Sequence, residues 1–138
     1  MFIKYNTYKS IIKTLSKYPI ESGGILGARK NIICRFYADE SCIGNNYYIP
    51  NIKKLNSVIE YWFKSDILFS GIVHSHPNGF NKLSNEDTKY AVEIIKNNNM
   101  KSILFPIVSQ NKKKKFKLFI YRITENYQVR RIIPFLIF

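Results

Sequence analysis

The sequence predicts an α/β (α+β) fold, a mixed β-sheet flanked by helices, built as a single domain over residues 1–138. Three observations carry this. Helical and extended patterns interleave along the chain, as they do in mixed-sheet proteins. One short, mostly apolar run, Ile67-Leu68-Phe69-Ser70-Gly71-Ile72-Val73, has the character of a central strand buried on both faces. The 138 residues, 46% of them hydrophobic, suffice for one core, and no repeat or linker divides them.

The elements follow in order. Phe2-Ile3-Lys4 reads as a short first strand. From Tyr5 to Tyr18, Tyr8, Ile11, Ile12 and Leu15 recur at helical spacing, and Pro19 stops the helix. Gly23-Gly24-Ile25-Leu26-Gly27 leads into a strand, Arg29-Lys30-Asn31 turns, and Ile32 to Phe36 returns. Tyr47-Tyr48-Ile49-Pro50 is extended, and Pro50, with no N–H to donate, places it at a sheet edge. Ile52 to Lys64 is helical through Leu55, Ile59 and Trp62-Phe63. The central strand comes next, then a polar loop from Pro77 to Leu83 and a helix from Ser84 to about Asn97-Asn98-Asn99. Three strands end the chain: Ile103 to Val108, Phe116 to Ile123 and Val129 to Ile133.

Composition bounds the function. No stretch approaches the ~18 uninterrupted apolar residues of a spanning helix, and Met1-Phe2-Ile3-Lys4-Tyr5 has no secretory-signal character. The expectation is a cytoplasmic protein with no membrane partner. Cys34 and Cys42 are too few for a disulfide scaffold and lack zinc-knuckle spacing, so they read as reduced packing residues. The net charge of +13 would suit nucleic acid. Yet the lysines are dispersed, the surplus of Lys, Asn, Ile and Tyr matches the codon usage of an AT-rich genome, and Lys112-Lys113-Lys114-Lys115 reads as a solvated hairpin turn. An acidic protein partner would use the same field.

The two histidines of the chain stand two residues apart, His74-Ser75-His76, at the end of the buried strand. Side chains at i and i+2 of a strand share a face, so both imidazoles can reach one metal. The alternative is two surface histidines, or a satisfied pair lining a cleft. Ten residues separate His76 from Asp87. With Ser84 capping the helix, Asp87 falls in its first turn and points back toward the strand end. Two imidazoles and a carboxylate leave a fourth position open, as catalytic zinc sites do. A capping arrangement alone would also account for Ser84-x-x-Asp87. Glu21, just before Ser22-Gly23-Gly24, is the candidate base, since the missing side chains let backbone pass close to a crowded centre. It could equally be an ordinary loop carboxylate.

Taken together, Glu21-x-Gly-Gly-Ile-Leu-Gly, His74-Ser-His-Pro and the spacing to Asp87 with Ser84 three before it resemble the JAMM motif of the JAB/MPN zinc peptidases. The likeness extends to the helix before Glu21, to Tyr48-Ile-Pro-Asn51 and to the terminal strands. Leu83, where many relatives carry proline, departs from it. The resemblance implies one zinc per chain held by His74, His76 and Asp87, Glu21 as general base activating a water, and Ser84 donating to the oxyanion. It also implies hydrolysis after the C-terminal tail of a ubiquitin-like protein or its conjugates, in processing or in deconjugation such as bacterial antiphage systems use. The tail would add as a strand along the edge from Ser41 to Ile49, with Tyr47, Tyr48 and Ile49 as substrate-binding residues. Two other readings stand beside this one: a nucleic-acid-associated, RadC-like protein, and an inactive scaffold of the same fold.

Overall fold

The computed structural model describes residues 1–17, 21–39, 50–77 and 79–138. Along the chain run β1 (Phe2–Lys4), α1 (Tyr5–Leu15), β2 (Gly23–Arg29), β3 (Ile32–Ala38), α2 (Ile52–Phe63), β4 (Leu68–His76), α3 (Asn85–Asn97), β5 (Ser102–Leu104), β6 (Ile107–Gln110), β7 (Phe116–Thr124), β8 (Val129–Ile132) and β9 (Phe135–Ile137). These strands of the described residues form one mixed sheet.

The apolar run is its middle. β4 pairs antiparallel with β2 on one side and parallel with β5 and β6 on the other. Beyond β2 come β3, β1 and β9; beyond β5 and β6 come β7 and β8. The sheet carries a separate apolar layer on each face because strand side chains alternate. Val73 faces Ile11 and Leu15 of α1 together with Ile3, Leu26 and Val108. Ile72 faces Leu55 and Trp62 of α2 and Val92 and Ile95 of α3. The helices are amphipathic in the expected way: α1 buries Thr7, Ile11 and Leu15, one turn apart. Fully burying side chains such as Ile11 and Leu15 contributes about 1.5–3 kcal/mol each. By the same alternation His74 and His76 lie on the face covered by α2 and α3, with Ser75 on the other.

Glycine matters where β2 is squeezed between two partners. A Cβ on Gly24 would collide with the carbonyl of Tyr37 on β3, so the strand that leads from Glu21 can lie this close only without a side chain there.

The elements differ from expectation in three places. α1 ends at Leu15, with Ser16 as its C-cap; Tyr18 and Pro19 lie outside the described residues, as do the edge from Ser41 to Ile49 and Cys42. The strand expected from Ile103 to Val108 is two strands, broken at Phe105-Pro106. Pro106 has no N–H for a ladder, and its carbonyl instead accepts from His74 N–H at 3.1 Å. Beyond Pro134 an additional strand, β9, pairs parallel with β1, so the last segment serves both ends of the sheet, β8 beside β7 and β9 beside β1.

Candidate metal centre

The register of β2 against β4 sets Gly23 opposite His74. Ser75 N–H donates to the Ser22 carbonyl at 2.8 Å, which carries the ladder one step further. Ser22 N–H in turn donates to Ser75 Oγ at 2.9 Å, and the two hydroxyls stand 3.3 Å apart. This paired register brings Glu21 opposite His76, on the face of the two imidazoles. His76 Nε2 and Glu21 Oε1 are 3.6 Å apart.

Asp87 arrives from the other direction, on α3. Ser84 is the N-cap: its Oγ accepts from Asp87 N–H at 3.1 Å, and its own N–H donates to Asp87 Oδ2 at 2.9 Å, closing a capping box. With one oxygen so held, Oδ1 lies 3.3 Å from His74 Nε2, and Oδ2 lies 3.6 Å from His76 Nε2. The capping arrangement and the approach to the histidines therefore coexist in one carboxylate.

The imidazoles converge through Nε2 at 2.9 Å. His76 Nδ1–H donates to the Phe80 carbonyl at 2.9 Å, which leaves the Nε2 lone pair facing His74. Both rings are buried, His74 edge-on to Phe105 at 5.3 Å and His76 stacked on Phe80 at 5.7 Å. His74 Nδ1 has no hydrogen-bond partner among the described residues. Burial alone would lower the pKa of His76, but its hydrogen bond to Asp87, the Asp87 charge, the Phe80 carbonyl and Glu21 together raise it above 6.5. Burial pushes the Asp87 pKa up, yet its bonds to His74 and His76 and the Ser84 N–H hold the carboxyl well below the usual carboxylate range.

These residues fit a metal ion. Glu21, His74 and His76 offer ligand atoms within 4.8 Å of one another. Atoms on zinc bonds of about 2.0–2.1 Å at tetrahedral angles lie about 3.3 Å apart, close to the spacings from the His74 and His76 Nε2 atoms to Asp87. The donor chemistry fits as well: two neutral nitrogens and a carboxylate, with the outer nitrogen of His76 tied to a main-chain carbonyl.

The structure thus brings together Glu21, His74, His76, Ser84 and Asp87. Tyr47, Tyr48 and Ile49 lie outside the described residues. Three supports escaped the sequence reading: the Phe80 carbonyl, the Ser22–Ser75 tie and Asp39. The buried Asp39 accepts from Asn51 N–H at 2.8 Å, and its own N–H donates to the Gly23 carbonyl at 2.8 Å. The placement of one serine beside Glu21 and another between the histidines was the available signal for the tie. Recesses lie elsewhere, one of about 690 Å³ lined by Met1, Asp66 and Arg122 and one of about 780 Å³ between α2 and α3. Neither is lined by these residues; Tyr90, which lines the second, meets Phe105 edge-on.

No protein-family model matches the chain, and no curated protein matches it in sequence. Solved structures do. A protein of Desulfitobacterium hafniense, determined in solution, is 18% identical, with a TM-score of 0.76 over 98% of this chain and 91% of that one. A JAB1/MPN domain protein of Archaeoglobus fulgidus, determined by crystallography, is 13% identical, with a TM-score of 0.58 over 100% of both chains. A protein of Salinibacter ruber, determined in solution, is 14% identical, with a TM-score of 0.66 over 97% and 90%. At these identities the likeness speaks of the fold alone. That fold is the JAB/MPN one.

Proposed function

We propose that the chain is a zinc-dependent peptidase or isopeptidase that hydrolyses the bond following the C-terminal tail of a ubiquitin-like protein, free or conjugated. The observation that carries this is the convergence of two imidazole Nε2 atoms with a helix-fixed carboxylate, Asp87, while a second carboxylate, Glu21, approaches from the neighbouring strand. His74, His76 and Asp87 would hold the metal, one per chain. Bound there, zinc would acidify a water and polarise the scissile carbonyl.

The chain's own residues do the rest. Glu21 is the proton carrier, taking one at its carboxylate and returning it to the leaving amine. Its neighbours suit the task, since the Ser22–Ser75 tie fixes the main chain beside it. Ser84 Oγ accepts from Asp87 N–H, and its hydroxyl proton is available to the carbonyl oxygen of the substrate as charge develops. Phe105 and Phe80 exclude water from the imidazole sides.

The substrate class rests on the motif. Asp39 and Asn51, which flank the segment containing Tyr47, Tyr48 and Ile49, are bonded to each other and through Asp39 to Gly23, the residue paired with His74. A tail adding as a strand along that segment would be led toward the metal. The test is cleavage of ubiquitin-like fusions by wild type and by Glu21→Gln. The amide cannot take the proton, so the variant loses a factor on the order of 10²–10⁴ in rate with its zinc retained. Near wild-type cleavage by Glu21→Gln would remove Glu21 as the base. Zinc-loaded wild type that cuts no such fusion would favour the scaffold reading.

A further inference from the structure

We infer that Tyr121 is a positioning residue for this centre, acting through the loop after His76 without touching the metal ligands. The inference rests on the reading of His76 as a ligand, and its consequences are separable from that reading.

Tyr121 lies on β7, on the face of the sheet that carries the histidines. The register runs His74 to Ile107 to Phe119, and Tyr121 stands two residues beyond Phe119. Tyr121 is 9% exposed, and its side chain packs with Ile107, Phe119 and Leu83. The phenol Oη–H donates to the Asn81 carbonyl at 2.6 Å. The preceding carbonyl in the chain, that of Phe80, is the one that accepts from His76 Nδ1 at 2.9 Å. Tyr121 therefore holds the peptide next to the one that orients the imidazole.

The loop needs such an anchor. Gly79 sits at a φ of +85°, which glycine adopts without strain, and among the described residues nothing beyond its chain neighbours lies within 4 Å of where a Cβ would stand. Its N–H donates to the His76 carbonyl at 3.2 Å. Between Gly79 and the cap at Ser84, Tyr121 supplies a side-chain hydrogen bond from the sheet to the loop, next to the one from His76 to Phe80. Should the Phe80 carbonyl drift, His76 Nδ1–H would lose its acceptor. The ring could then carry its proton on Nε2, where it is no longer a metal ligand.

The test uses Tyr121→Phe, which keeps the ring and removes only the hydroxyl, with Asn81→Ala as control because the acceptor is main chain. Zinc affinity is measured by chelator competition, and the His76 tautomer by imidazole ¹⁵N resonances with and without zinc. Tyr121→Phe is expected to weaken zinc binding about five- to tenfold and to mix the His76 tautomers in metal-free protein, while Asn81→Ala does neither. Unchanged tautomers with zinc affinity within twofold of wild type would overturn the inference. So would a Tyr121→Phe protein whose metal-free melting point falls while its tautomers stay pure, since that is a packing role. If wild type binds no zinc, the ligand reading fails, and the metal-free tautomers still decide the role of Tyr121.

Discussion

At the scale of single residues, a proton and the proposed metal would compete for the same lone pair. His76 has a raised pKa because Asp87, the Phe80 carbonyl and Glu21 outweigh burial. In metal-free protein the contribution of His76 to stability is fully present below its unfolded value of 6.5 and is lost as pH rises through the raised folded value. Asp87, with a lowered pKa, contributes above its unfolded value of 3.8 and loses that contribution as pH falls. A metal reverses the His76 trend, because it needs the neutral imidazole. Thermal melts with and without zinc should therefore diverge: the gain from zinc is small near pH 6 and grows toward about pH 8. A gain that does not change over this interval would mean that His76 is not competing with a metal for its Nε2.

At the scale of elements, the N-terminus of α3 both caps a helix and fixes the carboxylate proposed as a ligand. Ser84→Ala removes the acceptor for Asp87 N–H, which should cost about 0.5–2 kcal/mol of stability, as lost N-caps do, measured by denaturant unfolding of metal-free protein. Turnover should fall further than stability explains if, as proposed, the hydroxyl also serves the oxyanion. Equal turnover per folded molecule would leave Ser84 a cap only. This helix start was legible in the sequence, because Ser84-x-x-Asp87 is a local pattern and its bonds are local. So was the pairing of the two histidines on one face, which needs only strand alternation. What was not legible depends on partners far along the chain. Nothing local to Phe105-Pro106 reveals that its carbonyl takes the His74 N–H while the strand divides around it. The last strand was expected to end at Ile133, and pairing with β1, more than a hundred residues away, turns Phe135–Ile137 into β9. Tyr121 was read as one more strand residue, since its acceptor lies in a loop 40 residues earlier.

At the scale of the whole molecule, the fold places its chemistry where three pieces of chain meet: the entry to β2, the end of β4 and the first turn of α3. The parallel pairing of β4 with β6 ends at His76 and Ser109, so the imidazoles lie at the carboxyl end of a parallel pair, where open sheets leave room for a ligand. Either carboxylate that approaches them, Asp87 or Glu21, is close enough to serve as third ligand; Asp87 is the one proposed, because its other oxygen is held by the Ser84 N–H. Zinc content by elemental analysis tests this most directly, on wild type, His74→Ala, Asp87→Ala and Glu21→Gln, each checked for fold by circular dichroism. About one zinc per chain is expected in wild type and in Glu21→Gln, and its loss from His74→Ala and Asp87→Ala. A wild type without zinc, or unchanged zinc in His74→Ala and Asp87→Ala, would contradict it.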